Sequence, residues 1–586
     1  MNTYIKGKDE ALEISIANMQ QKLKQLGFDI EETLWLNPVS YIYSVNIRDK
    51  NCPLLFTNGK GSSREACLAS ALGEFFERLS CNYFFADFYL GQKISQAEFV
   101  HYPDERWFPF DSESETRPTG LLNSVLWDFY NPEGEVSLQQ LVDTNSGNSS
   151  RGICALPFSS FFTQERVYFP VNIIGNLYVS NGMSAGNSKY EARTQALSEI
   201  FERYVKNRII SEFIALPLVP DEIVGQYQAV MTAKKELEAE GFIIQVRDAS
   251  LGGEFPVMNV TMIEPGSGRC LASFGAHPNF EVALERTMTE LLQGRRLDSL
   301  DGFHSPSFDN EAVAQADNLE THFIDSSGLI SFDFFKQQAD YEFVFWDFEG
   351  DNKTQFNFLA GQIQAMGFEL YIADYEHLGV PACRILVPGM SEIYPIEELT
   401  WQNNNEGLEF RESILNLNRL NLQQRKDLMQ QLEQTGFSEH HPMSELLGIA
   451  ADPHSAWASL RLGELKAMLA LAIADYLVAL EWSLWCLEME QLSPEREKFY
   501  QTLTALLQLK LDDSGAASRN IEQYQNALHD LYSHEQVSFC TALIEGTEHF
   551  AGLTDSGLEL EGFNLHQSLL SAYAKLQQAK QHTQAT

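Results

Sequence analysis

ALGEFFER at residues 71–78 and ALSEIFER at residues 196–203 are two versions of one octapeptide, and their recurrence decides how the chain is read. Sliding the first onto the second by 125 positions also lays Gly61 on Gly186, Ser63 on Ser188 and Asn82 on Asn207, so a functional unit is duplicated. Each copy sets two glutamates three apart, Glu74 with Glu77 and Glu199 with Glu202, followed at once by Arg78 or Arg203. At about 3.6 residues per turn each pair shares one helical face. Paired carboxylates suit hard cations.

The surroundings of the pairs sharpen this. ASALGEFFERL (69–79) is mostly apolar, which predicts a helix buried on much of its surface. Carboxylates there cost several kcal/mol unless paired or bound to metal. For one such motif, internal salt bridging to Arg78 competes evenly with metal binding. Two copies, and a third helical segment AHPNFEVALERTMTELLQGRR (276–296) with Arg286 and Glu290 at i and i+4, shift the reading to several carboxylates converging on one point. A surplus of oxygen ligands suits Mg²⁺, which usually bridges to phosphate, so carboxylates with arginines beside them indicate a nucleotide and metal site. A di-iron centre is disfavoured because neither motif helix has the Glu-x-x-His pairing.

Each pair follows a glycine-containing stretch. TNGKGSS (57–63) leads into a helix beginning near Arg64, and SNGMSAGNS (180–188) into one beginning near Lys189. Strand, loop and helix in that order would offer free N–H groups to an anionic phosphate. Neither loop has P-loop or Gly-x-Gly-x-x-Gly spacing, and alone each reads as an ordinary turn.

Composition sets the frame for these motifs. The 586 residues carry a formal charge of −40, which argues against nucleic acid or an anionic membrane surface as the main partner. The opening MNTYIKGKDEALEISIANMQ lacks the build of a secretory signal, and no run approaches the roughly 18 apolar residues of a membrane span, so a cytoplasmic location is expected. Eight cysteines lie scattered without metal or redox spacing and are read as reduced and buried. Residues 1–400 mix helical with β-rich segments (33–47, 167–179, 242–248, 256–263, 369–375, 382–388) and are expected to form an α/β body. Residues 110–155 are expected to be an irregular insertion separating the copies. Residues 401–586 carry helical periodicity at 460–482, 496–511 and 563–581, predicting an all-helical domain resembling a tetratricopeptide array. Its apolar faces, with Leu460, Leu462, Leu465, Met468, Leu469 and Leu471 within three turns, read equally as a self-contained helical core or as contact with the α/β body or another chain, the latter most simply as a homodimer.

SALGEFFER (70–78) has the form Ser-x-x-x-Glu-x-x-Glu-Arg, and with NSKYEARTQALSEIFER (187–203) and the third helix it resembles the YcaO family of ATP-dependent amide-activating proteins. The resemblance spans most of residues 1–400, motifs near 57–82 and 182–207 included. It implies ATP and Mg²⁺ as cofactors, bound between the duplicated halves. By that resemblance Glu74, Glu77, Glu199, Glu202 and Glu290 hold the metal, with Glu191 a weaker member. Ser70, Asn187, Arg203 and Arg286 touch nucleotide, joined by Lys8 and Ser15 if the opening segment folds over the site. Arg78 is read first as orienting Glu74 and Glu77.

Family members phosphorylate a peptide amide oxygen after a nucleophile adds to the carbonyl, then expel phosphate, with no side-chain nucleophile required. Azoline-forming members end in a Pro-x-Pro-x-Pro tail, whereas this chain ends AYAKLQQAKQHTQAT, which reads as a helix. The resemblance is therefore to a branch implied to assist a radical methylthiotransferase in β-methylthiolation of an aspartate of a small-subunit ribosomal protein. Both of those proteins are the implied partners. With no cysteine triplet for an iron–sulfur cluster, the radical step would belong to the partner. The alternatives are a nucleotide-regulated scaffold, or a cyclodehydratase or thioamidation-type enzyme.

Overall fold

Ser63 and Ser188 start the two signature helices alike in the computed structural model. Each hydroxyl accepts the backbone N–H three residues on, from Ala66 and from Glu191, both at 3.1 Å. The structure describes residues 2–110, 116–143, 147–298, 300, 302–399, 406–489, 492–512 and 521–584. Parts of the expected insertion (111–115 and 144–146) and the expected boundary at 400–401 lie outside the described residues.

Helix α1 (Leu12–Leu26) precedes a three-stranded sheet of β1 (Ile30–Val39), β2 (Ile42–Asp49) and β3 (Phe56–Gly61), which feeds the first signature helix α2 (Arg64–Ser80). The run 33–47 is thus a hairpin, turning where Tyr41 takes a φ of 62°. Strands β4 (Arg106–Phe108), β5 (Ile153–Ser160), β6 (Arg166–Pro170) and β7 (Met183–Ala185) lead to the second signature helix α3 (Lys189–Ser211). There follow α4 (Gln228–Ala239), β8 (Ile243–Asp248), β9 (Val257–Ile263), β10 (Cys270–Ala276), α5 (Phe280–Glu290), α6 (Asn352–Ala365), β11 (Tyr371–Tyr375) and β12 (Ala382–Leu386). Strands β8 to β10 form a second sheet, and a third runs β4-β5-β11-β12-β7 with β6 on β5. All pairings between these strands are antiparallel.

Two expectations about this body need correction. The segment 167–179 is strand only as far as Pro170, and Val171–Tyr178 is helix with most of its residues buried. A short apolar run buried on many sides does not reveal its period. The glycine stretches, moreover, contain strands rather than phosphate loops. A Cβ on Gly61 would stand 2.6 Å from Cys67 N, and one on Gly186 2.8 Å from Ala192 N, contacts related by the same 125-residue shift. Glycine there lets each strand press against the opening of its helix. With Ser63 and Ser188 taking N–H groups at both helix starts, the expected anion cradles are partly filled from within.

Beyond residue 406 the described residues contain helices only as regular elements: α7 (Leu422–Gln434), α8 (Leu462–Ala472), α9 (Tyr476–Glu488), α10 (Pro494–Leu511), α11 (Ile521–Tyr532), α12 (His534–Glu545) and α13 (Asn564–Gln584), besides shorter turns. The run 460–482 is two helices, broken where Ala474 takes a φ of 59°. Leu460, Leu462, Leu465, Met468, Leu469 and Leu471 are all buried within the chain itself. Helix α13 leaves its helical neighbours for the first copy. Its Leu569, Ala572, Tyr573 and Leu576 join Leu72, Phe75, Phe76 and Leu79 of α2 in one core. The Tyr573 hydroxyl donates to Val100 O at 2.7 Å, and the ring meets Phe85 edge-on at 4.8 Å. All eight cysteines are buried and unbridged.

Candidate nucleotide and metal site

Helices α2, α3 and α5 bring the candidate residues to one region. Arg78 Nη2 donates to Glu74 Oε1 at 3.1 Å, with its Nε 3.7 Å from Glu77 Oε1. Arg203 pairs with Glu199 at the same i, i+4 spacing in the second copy. Arg286 Nη1 donates to Gln195 Oε1 at 2.5 Å and so ties α5 to α3. Ser70 is exposed, one turn before Glu74.

Glu290 is held by a residue the sequence reading passed over. Lys60, near the end of β3, forms an ion pair with it. Burial pushes the Lys60 ammonium down to about 8, opposed by Glu202, Glu199 and Glu74 and reinforced by Arg286. A lysine therefore stands among the carboxylates of all three helices. Its one legible sign was a cation between the two closing glycines of GKG (59–61).

The opening segment does fold over this region. Lys8 Nζ lies 3.3 Å from Glu191 Oε1, and Asp9 N donates to Glu191 Oε2 at 2.8 Å. Asn187 Nδ2 donates to both Glu191 oxygens at 3.1 and 3.0 Å, and Ser15 Oγ donates to Asn187 Oδ1 at 2.8 Å. Lys8, Ser15, Asn187 and Glu191 thus form one polar cluster at the N-terminal end of α3. Glu191 and Glu202 are eleven residues apart, about 16 Å along the helix. The cluster and the remaining glutamates flank a stretch long enough for an extended ligand.

Among the described residues no three acidic, histidine or cysteine side chains meet at one point. The physical reason is that Glu74, Glu191, Glu199 and Glu290 are each paired with a cation of this chain. Two observations nevertheless fit Mg²⁺ and a phosphate chain. Glu77 is pushed well above the usual carboxyl range by burial, then by Glu199 and Glu74, against the pull of Arg78 and Arg203. Burial and its negative neighbours hold that carboxyl toward its neutral form, which a further cation would reverse. Arg203 Nη1, conversely, is buried with no hydrogen-bond acceptor. A buried guanidinium N–H without a partner costs free energy that a phosphate oxygen would recover.

At Glu202 and Glu290 opens a cavity of about 860 Å³, lined also by Arg203, Lys206, Phe323 and Tyr394, among others. Lys206, pushed down to about 8 by burial, donates to His322 O at 2.5 Å and Ser326 Oγ at 2.9 Å on its wall.

Comparison with known proteins shows the family. A family profile described as "YcaO cyclodehydratase, ATP-ad Mg2+-binding" matches residues 58–391. The chain belongs to the YcaO family. A second profile, the YcaO cyclodehydratase C-terminal domain, matches residues 407–582. The Escherichia coli (strain K12) protein named ribosomal protein S12 methylthiotransferase accessory factor YcaO is 54% identical over 582 residues, covering 99% of this chain and 98% of that one. A Haemophilus influenzae protein is 50% identical over 583 residues, with coverage of 99% and 98%. Among solved structures, a heterocyclase in complex with substrate and cofactor is 16% identical with a TM-score of 0.43, covering 67% of this chain and 55% of that one. YcaO from Methanopyrus kandleri bound with AMPPCP and Mg²⁺ is 19% identical with a TM-score of 0.40, covering 65% and 92%. As a YcaO protein the chain has an ATP- and Mg²⁺-binding domain.

Proposed function

We propose that this YcaO protein binds ATP and Mg²⁺ between its duplicated halves and uses them to activate an amide or carboxyl group. In this reading it is an accessory factor in β-methylthiolation of an aspartate of a small-subunit ribosomal protein, with a methylthiotransferase as partner. The observation that carries the nucleotide part is Arg203, whose buried Nη1 has no acceptor within a region of surplus carboxylates. The accessory role is supported by the name of the 54% identical relative.

ATP supplies the phosphoryl group that converts an amide oxygen into a leaving group, and Mg²⁺ neutralises the charge that develops. Glu74, Glu77, Glu199, Glu202 and Glu290 are the residues that hold the metal. Arg203 and Arg286 take the phosphates. Glu191 holds Lys8 and Asn187, and through Asn187 Ser15, in place for the nucleotide, and Ser70 lies on the same helix as the first glutamate pair. Lys60 competes with any arriving cation for Glu290, so the chain carries its own provisional counter-charge. A second reading, a scaffold whose nucleotide site governs assembly, is favoured by the packing of α13 from the helical region against α2 of the first copy. Anaerobic reconstitution with the methylthiotransferase and its ribosomal substrate separates the two. The amide-activation reading expects product only with hydrolysable ATP, and product formed equally without it would leave the scaffold.

A further inference from the structure

A second cavity, of about 820 Å³, is lined by Lys189 and Arg193 of α3. At 100° per residue these stand on roughly the opposite side of the helix from Glu191 and Glu202, and about a quarter-turn round from Glu199. Its other wall includes Tyr102 and Tyr375, their rings stacked at 4.9 Å, together with His377 and Lys580 of α13.

The charges here are unevenly matched. Arg193 is held by Asp374 through bonds of 3.0 and 2.6 Å, Lys189 lies 2.9 Å from the same carboxylate, and Arg166 pairs with Asp104 at 2.8 Å. Lys580 is 2% exposed, donates to Asn82 Oδ1 at 2.6 Å and His101 O at 2.8 Å, and stands 4.1 Å over the Tyr102 ring. Among the described residues it forms no ion pair with a carboxylate. Glu105, the acid that acts on it most, is spent on four donors: Val100 N, His101 N, Tyr102 N and Trp107 Nε1. Burial accordingly pushes the ammonium down to about 7. Beside it, His377 Nε2 is buried with no hydrogen-bond partner, and Lys580 is the charge that acts on that ring. A buried cation without a counter-ion and an orphaned ring nitrogen therefore meet at one cavity, in a chain whose formal charge is −40. Both deficits are met by one kind of group.

We propose that this cavity is a binding site for a carboxylate-bearing ligand, an acidic polypeptide side chain or a small organic acid, whose carboxylate pairs with Lys580 and accepts from His377 Nε2. The stacked tyrosines give its body an aromatic wall, and the volume lies within the range of small-molecule and short-peptide sites. The site lies apart from the glutamate cluster and does not depend on the nucleotide reading.

The test is calorimetric titration of the full-length chain with N-acetyl-glutamate α-amide and with its neutral glutamine counterpart. A nonapeptide with one central glutamate, and its glutamine version, form the second arm. The acids are expected to bind at least tenfold more tightly than their neutral counterparts. Tighter binding of the nonapeptide than of the capped residue would identify a polypeptide, and equal binding a small acid. Lys580→Met should reduce the preference for acid to under twofold in the folded variant. Should that variant not fold, Ser159→Trp at the exposed rim should block both acids. Equal affinity for acid and neutral probes, full preference retained in Lys580→Met, or undiminished binding in Ser159→Trp would each overturn the proposal.

Discussion

Shortening one side chain of the last helix should loosen the first signature helix, although the two are separated by most of the chain. Leu576 of α13 is fully buried in the core that α2 shares through Leu72, Phe75, Phe76 and Leu79. Leu576→Ala removes three heavy atoms from that core and leaves a cavity, at a typical loss of about 3 kcal/mol within a 2–5 kcal/mol range. Hydrogen exchange of the α2 amides, followed by mass spectrometry, reads this directly where exchange occurs through shared opening. A 3 kcal/mol loss corresponds to roughly 150-fold faster exchange over residues 64–80, with helices α10 to α12 much less affected. Acceleration confined to α13 itself, with α2 exchanging within threefold of wild type, would refute the idea that the two form one cooperative unit.

Glu77→Gln and Glu202→Gln are expected to abolish ATP turnover with circular dichroism unchanged, and wild-type turnover in both folded variants would make the pairs merely structural. Because burial raises the Glu77 carboxyl, the folded chain binds that proton more tightly than the unfolded chain does, so this residue's contribution to stability falls as pH rises above about 4.5. Urea melts from pH 5 to 8 should therefore show a shallower decline in Glu77→Gln than in wild type. Gly61→Ala and Gly186→Ala should each cost about 1–3 kcal/mol by forcing strand and helix apart, whereas Gly73→Ala, in α2 with open space at its Cβ, should be neutral or mildly stabilising; thermal melts distinguish them. Mg-ATP should raise the melting temperature by mass action, equivalent to about 2.7 kcal/mol at a hundred times its Kd. Duplex DNA should show no salt-sensitive binding near micromolar concentration, as calorimetry can verify.

Local signals carried the parts of the fold that local chemistry dictates. The glycine-containing stretches put the helix starts near Arg64 and Lys189, where the structure has them, and the repeated octapeptide located both carboxylate pairs. The third helix was legible as a segment, though it is shorter at both ends, since residues up to Ala276 belong to β10. What sequence reasoning could not recover depends on distant partners. Lys60 acquires its role only because β3 delivers it to Glu290, and nothing near residue 60 announces that meeting. The apolar faces at 460–471 read equally as a self-contained helical core or as surface for the α/β body or another chain, and the core they enter lies within this chain. Likewise the C-terminal run 563–581 was legible as a helix and silent about its destination, because its partners lie nearly 500 residues away.

The return of α13 to the first copy also bears on how the protein is made. Tyr573 meets Asn82 across 491 residues, so at about 5–20 residues per second a ribosome finishes the last wall of the α2 core some 25–100 s after synthesising the first. Until then Phe75 and its neighbours wait with an apolar face uncovered, a burden for chaperones during elongation. A chain lacking α13 would leave that face of the helix carrying Glu74 and Glu77 without its cover. Placement of the first glutamate pair is thereby tied to residues made almost five hundred positions later.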